Sequence, residues 1–207
     1  MKTAESTKTY TELADAAREF YRRGWVFGTS GNFSMLASRE PIRITITASG
    51  LDKGRLDDTS FLEIDADSNI LAGSGKPSAE TQIHQTIYRR LPNVGSVLHT
   101  HSVWGTLLSE DRDAIEIEGY EMLKGLAGVT THEHTERVPV IENTQDYTAL
   151  SKDIETLLAD TSIHGFYLRR HGLYTWGETV AEARRHVEIF EFLFEVLGRS
   201  SGRPDSP

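Results

Sequence analysis

Eight histidines and no cysteine set the terms for metal chemistry in this 207-residue chain. Without cysteine there is no thiol nucleophile, no disulfide and no thiolate-held zinc or iron–sulfur centre, so a tight transition-metal site must use imidazole and carboxylate. His99 and His101 stand one residue apart at the end of the run from Val94 to His99, which reads as a strand. The period-two geometry of a strand turns both imidazoles to one side. On a helix they would diverge by about 200°. Such a pair suits Zn²⁺, which takes imidazole nitrogen at about 2.0–2.1 Å and keeps one position open in catalytic sites. The competing structural role is a pair of strand-end histidines that cap hydrogen bonds.

His171 follows the strand-like FYLRR and precedes Gly172, which makes it the best-placed third ligand. Of the others, His84 falls within a helix, His186 on the polar side of the last helix, and His164 ahead of a strand. His132 and His134 form a second pair in THEHTERVPV, where Glu133, Thr135 and Glu136 predict a polar, exposed loop.

Three loops have the composition of anion cradles: GTSGN at 28–32, TASG at 47–50 and GSGKPS at 73–78. Small residues let backbone N–H groups approach a phosphate closely, and Lys53 and Lys76 offer charge. Ser78, read as the N-cap of a helix, adds the favourable end of a helix dipole. Two carboxylates are candidates for proton transfer, Glu80 just after Ser78 and Glu121 in EGYEMLKG. The residues alone do not rank them.

These groups need elements to position them. Thr9 and Glu12 have capping-box spacing ahead of Leu13, Ala17, Phe20 and Tyr21, predicting a helix that Gly24 ends. GTSGNFSML leads into a strand, Ile42, Ile44 and Ile46 alternate as a second, and a third near Phe61 to Asp65 turns at Asp67-Ser68-Asn69. Ile83, Ile87 and Tyr88 mark a helix after Ser78, and Ser102 caps VWGTLL. A short helix is expected at Tyr120 to Lys124, another from Asn143 or Thr144 with Leu150, Ile154 and Leu157, and a strand from Gly165 to Arg170. Val180, Ala183, Val187, Phe190, Phe194 and Leu197 step by three or four along a final amphipathic helix.

With no repeat and no Pro- or Ser-rich linker, residues 1–207 read as one mixed α/β domain, ordered over about 9–197 with a disordered tail at 198–207. Lys plus Arg is 22 against 31 Asp plus Glu, a net charge of −9 that argues against nucleic acid or an anionic membrane as partner. No stretch approaches the roughly 20 apolar residues of a membrane span, and MKTAESTKTY lacks a signal-peptide core. A cytoplasmic protein is expected.

Taken in order, GTSGN, TASG, LDKG, KPSAE, the strand-end HTH, EGYEMLKG, VPVIENT and RRHGLYTWG resemble the class II aldolase and adducin family, from about Thr9 to Leu197. Within it they are most similar to its sugar-phosphate dehydratase branch. The resemblance implies a three-layer α/β/α sandwich around a mainly antiparallel sheet, one Zn²⁺ per subunit on His99, His101 and His171, and a homotetramer with sites near subunit interfaces. It implies a sugar-phosphate substrate held by Asn32, Ser49, Gly50 and Ser78, with Lys53 as a further contact. Dehydratases of the family use the glutamate matching Glu121 as acid/base, and aldolases the one matching Glu80; EGYEMLKG and VPVIENT favour Glu121. A zinc aldolase and a non-catalytic, adducin-like association domain are the alternatives.

Overall fold

The computed structural model describes residues 4–200. In chain order the elements are α1 (Ala4–Arg23), β1 (Asn32–Arg39), β2 (Ile42–Thr47), β3 (Phe61–Asp65), β4 (Ile70–Ala72), α2 (Thr81–Arg90), β5 (Ser96–Thr100), α3 (Val103–Leu108), β6 (Ala114–Glu118), β7 (Thr135–Ile141), α4 (Tyr147–Leu157), β8 (Gly165–Leu168), β9 (Gly172–Gly177) and α5 (Val180–Ser200). The nine strands form one sheet in the order β4-β3-β2-β1-β5-β9-β8-β7-β6. Neighbours are antiparallel except β7 and β8.

Strand alternation sorts the apolar side chains onto two faces. Ile44, Ile46, Val97 and Tyr174 pack against Ile83 and Ile87 of α2 and Leu150 and Ile154 of α4. Phe33 and Leu98 pack against Leu13 and Phe20 of α1 and Val187 of α5. Farther along the sheet, Ile115, Ile117 and Leu173 meet Phe190 and Phe194 of α5. These layers form the expected α/β/α sandwich, with each fully buried Leu, Ile or Phe contributing about 1.5–3 kcal/mol. On β5 the alternation puts Val97 and His99 toward α2 and α4, and Leu98 and Thr100 toward α1 and α5.

Several boundaries differ from the sequence reading. α1 begins at Ala4, upstream of Thr9, because no breaker interrupts that stretch. α2 begins at Thr81 with Glu80 at its N-cap position, so Ser78 does not cap the helix; its Oγ accepts the Glu80 N–H at 3.2 Å in the preceding turn. α4 starts at Tyr147, capped by Asp146, whose Oδ1 accepts the N–H groups of Thr148 and Ala149. The helix expected at Tyr120 is a 3₁₀ turn over Glu121–Gly125. β8 stops at Leu168, where the His171 N–H turns back to the Leu168 carbonyl at 2.9 Å. β4, β6, β7 and β9 are strands that the sequence reading did not assign. α5 continues to Ser200, and the rest of the expected tail lies outside the described residues. Among the described residues no helix is long and apolar enough to cross a membrane.

The strand directions give the sheet two chemically different ends. The C-terminal ends of β2, β5 and β8 share one end with the N-terminal ends of β1 and β9. β6 finishes and β7 begins at the other.

Candidate active site and metal centre

His99 lies next to last in β5, fully buried, His101 follows the strand with its backbone N–H held by the Trp25 carbonyl at 2.7 Å, and His171 sits in the turn between β8 and β9. The ring centroids of His99, His101 and His171 lie 4.5, 5.0 and 4.7 Å apart in the pairs 99–101, 99–171 and 101–171. Glycine makes this approach possible. A Cβ at Gly172 would collide with the Thr100 carbonyl and the His99 ring, and one at Gly31 would lie 2.8 Å from the His99 carbonyl.

Hydrogen bonds behind the rings hold two of them in place. His99 Nδ1–H donates to the Leu173 carbonyl at 2.9 Å, so its Nε2 keeps a lone pair for the centre, and His171 Nδ1 lies 3.3 Å from Asn143 Oδ1, which orients that ring. His101 Nε2 lies 2.8 Å from His99 Nε2, close enough for one proton to lie between them. One ligand nitrogen from each of the three residues falls within 4.8 Å of the others. Burial, reinforced by the neighbouring imidazoles, pushes His99 well below the ordinary histidine value and His101 down to about 4. Both rings are therefore in the neutral, ligating form at neutral pH. Three convergent imidazoles, two of them held from behind by oxygen acceptors, fit Zn²⁺ with a position left for substrate.

Glu80 completes the cluster. Its Oε1 lies 3.1 Å from His171 Nε2 and its Oε2 3.6 Å from His99 Nε2, while Asn32 Nδ2 donates to Oε2 at 2.5 Å. Burial works to raise this carboxyl, but the His171 hydrogen bond, the fields of His99 and His171, and the Asn32 amide outweigh it and hold it well below the usual carboxylate range. Tyr174 of β9, unremarked in the sequence, stacks on His99 with centroids 3.9 Å apart and planes inclined by 11°. Asn143, which orients His171, lies in the VPVIENT motif but was read there only as a helix start.

Next to the cluster is a cavity of about 180 Å³ whose lining includes Asn32, Ser49, Gly50, Lys53, Ser78, Glu80 and His101. All five residues expected at a phosphate thus line one cavity, formed by the loops before β1, after β2 and before α2. Lys53 is buried, donating from Nζ to the carbonyls of Thr29 at 3.0 Å and Leu51 at 2.8 Å, and burial pushes it down to about 8, still mostly charged at neutral pH. Ser30, also in the lining, has a buried hydroxyl with no protein partner. Lys76 contributes its backbone carbonyl to the Ser49 N–H at 2.8 Å.

Glu121 stands apart from this cluster. β6 lies four strands from β5, about 19 Å at 4.8 Å per strand, and Glu121 follows the end of β6 at the opposite end of the sheet. Its side chain is 70% exposed, paired with Lys124 and, at 3.8 Å, with His132 Nδ1. Within one chain it does not join the histidines, whereas Glu80 does.

The second histidine pair is divided. His132 is exposed beside Glu121, but His134 Nε2 lies 2.8 Å from Oε2 of Glu136, which is 1% exposed and not on the polar surface that its sequence context suggested. His164 Nδ1 reaches the same oxygen at 2.9 Å, and its Nε2 lies 2.8 Å from the Ala127 carbonyl. Facing an oxygen acceptor at each nitrogen, His164 is an imidazolium; burial lowers its pKa, but the Glu136 bond and charge raise it on balance. His186, expected on the polar side of α5, is buried, donating from Nδ1 to the Trp176 carbonyl at 2.7 Å and accepting the Ala127 N–H at 3.0 Å. Glu191 is buried too. Its Oε1 accepts from Thr100 Oγ1 at 2.8 Å on the side of β5 away from the ligands, and burial pushes it up to about 7.

Residues 11–197 match the family model described as class II aldolase and adducin N-terminal domain. The chain is 45% identical over 185 residues to a methylthioribulose-1-phosphate dehydratase of Stenotrophomonas maltophilia, covering 88% of this chain and 86% of that one. It is also 45% identical over 179 residues to the protein of that name from Xanthomonas campestris, covering 85% and 82%. Among solved structures, YgbL of Escherichia coli superposes with a TM-score of 0.81 at 26% identity over 96% of this chain and 92% of that one. An L-fuculose 1-phosphate aldolase gives 0.78 at 20% identity over 100% and 92%, a likeness of fold.

Proposed function

The chain belongs to the class II aldolase and adducin family, and we propose that within it the protein dehydrates 5-methylthioribulose 1-phosphate to 2,3-diketo-5-methylthiopentyl 1-phosphate, a lyase step of methionine salvage. The observation that carries this reading is the 45% identity, over 88% of the chain, to a relative named for that reaction. The three convergent imidazoles support catalysis over an adducin-like association role.

The residues divide the work as follows. Asn32, Ser49, Gly50, Ser78 and Lys53 line the cavity that takes the phosphate, placing the sugar carbons toward His101 and Glu80. His99, His101 and His171 would hold one Zn²⁺ per subunit, which would supply Lewis-acid polarisation of the C2 carbonyl, worth several kcal/mol in the acidity of the C3 proton. A carboxylate removes that proton and returns it to the departing C4 hydroxyl, so that water leaves and the enol relaxes to the diketone. We assign this role to Glu121 acting on the cluster of a second copy, as in a homotetramer with sites at subunit interfaces. Both oxygens of Glu80 are already engaged, by His171 and Asn32. Glu80 on this account orients the cluster and the bound substrate.

Incubation of the zinc-loaded protein with 5-methylthioribulose 1-phosphate, followed by NMR and mass spectrometry, is expected to give loss of one water and a diketone phosphate. A three-carbon ketone phosphate would instead establish the aldolase reading. Mixing inactive Glu121→Gln and His99→Ala proteins tests the shared site: turnover returns in the mixture, but not when Glu80→Gln replaces Glu121→Gln. Wild-type turnover by Glu121→Gln alone would remove Glu121 from the mechanism.

A further inference from the structure

α2 and β1 carry matched polar ladders inside the core. Glu80 at the N-cap of α2 and His84 and Tyr88 within it recur every four residues, and Asn32 and Ser34 every two on β1. Four helical residues rise about 6 Å and two strand residues about 6.6 Å, so the rungs interleave. His84, Ser34 and Tyr88 have no measurable exposure. Asn32 Nδ2 donates to Glu80 Oε2 at 2.5 Å, Asn32 Oδ1 meets His84 Nε2, Ser34 Oγ lies 2.7 Å from His84 Nδ1, and Tyr88 Oη lies 2.8 Å from Ser34 Oγ.

The donors can be assigned along the whole chain of bonds. The Asn32 amide nitrogen donates to Glu80 Oε2, which leaves the amide oxygen, an acceptor only, facing His84 Nε2. His84 Nε2 therefore carries the proton. Burial pushes His84 down to about 3, so its ring is neutral and Nδ1 is bare. Ser34 then donates to Nδ1, and Tyr88 donates to Ser34. Every bond points toward Glu80, and hydrogen bonds aligned in one sense strengthen one another.

We propose that His84 is a positioning residue for the reaction: locked as the Nε2–H tautomer by Ser34 and Tyr88, it sets the orientation of the Asn32 amide and through it the placement of the Glu80 carboxylate. Asn32 and Glu80 line the cavity, and His84, Ser34 and Tyr88 lie behind them, outside its lining. It rests on the functional reading above only in giving Glu80 an active-site role. The tautomer itself can be tested without substrate.

The direct test is ¹⁵N NMR of the zinc-loaded protein labelled at histidine. The His84 ring is expected as a neutral Nε2–H tautomer from about pH 6 to about pH 9, and as a mixture of tautomers in Ser34→Ala. An Nδ1–H tautomer or an imidazolium in the wild type would overturn the proposal, whatever the substrate proves to be. For function, His84→Gln can offer N–H to Asn32 and a carbonyl to Ser34, whereas His84→Leu can offer neither. His84→Leu should lower kcat about tenfold to a hundredfold, with zinc content unchanged, and His84→Gln should recover most of it. Equal turnover by both variants would contradict the proposal. If His84→Leu does not fold, Tyr88→Phe serves, expected to mix the tautomers and lower kcat less; an unaltered tautomer and kcat there would count against the relay.

Discussion

The two ends of the sheet carry the same residue types and use them oppositely. At one, His99, His101 and His171 turn ring nitrogens toward a common point, with Leu173 and Asn143 holding two of the rings from behind. At the other, His134 and His164 share a buried oxygen of Glu136, and the second nitrogen of His164 meets the Ala127 carbonyl. Both regions begin from a histidine, one residue and another histidine. What separates them is convergence. At the first end ligand nitrogens of three imidazoles fall within 4.8 Å of one another, whereas at the second the Glu136 and Ala127 oxygens take both nitrogens of His164 as donors and make an internal ion pair.

The largest effect that would sharpen this contrast is on activity. His101→Ala should reduce turnover to background, while His134→Ala should stay within about threefold of wild type in turnover assays, because only the first removes a metal ligand. Loss of activity in His134→Ala at full folding would break the comparison.

The next effect is on stability. Glu136→Gln leaves the His164 imidazolium buried without its carboxylate, and urea titration at neutral pH should show a loss of about 3 kcal/mol with zinc content unchanged. An unchanged midpoint would mean that the pair is not ionic.

A smaller effect follows from pH. The folded His164 pKa is raised above 6.5, so its stabilisation is complete below about pH 6.5 and lost as pH rises through the folded value. Glu191 is raised from 4.5 to about 7, so stability present below about pH 4.5 is lost as pH rises through about 7, on the order of 3 kcal/mol. Thermal melts should therefore show Glu191→Gln losing less stability than wild type between about pH 4.5 and about pH 8. Parallel pH curves would contradict the buried, protonated state of Glu191.

Much of the active end was legible in the sequence because its signals are local. The strand-end spacing of His99 and His101, the position of His171 before glycine, and the small residues of three loops each follow from a few neighbouring residues. The Ser102 cap was equally local, and its Oγ accepts the Gly105 N–H at 3.1 Å. What escaped depends on contacts between distant strands. Glu136 and His186 read as surface residues, yet β7 lies between β6 and β8, and His186 packs against β9, which buries both. Asn143 was taken for a helix start, but its side chain holds His171, and the capping role passes to Asp146. The residues alone did not rank Glu121 against Glu80, the motif resemblance favoured Glu121, and only strand order puts the two at opposite ends. The Asn32–His84–Tyr88 ladder was present as spacing, four on the helix and two on the strand, but became readable only once β1 and α2 were known to face each other.

The most direct test of the central claim is anomalous diffraction at the zinc edge from crystals of the zinc-loaded protein. The account predicts one strong peak per chain, about 2.0–2.1 Å from a nitrogen of each of His99, His101 and His171. A peak instead among His134, Glu136 and His164, or none beside His99, would contradict it.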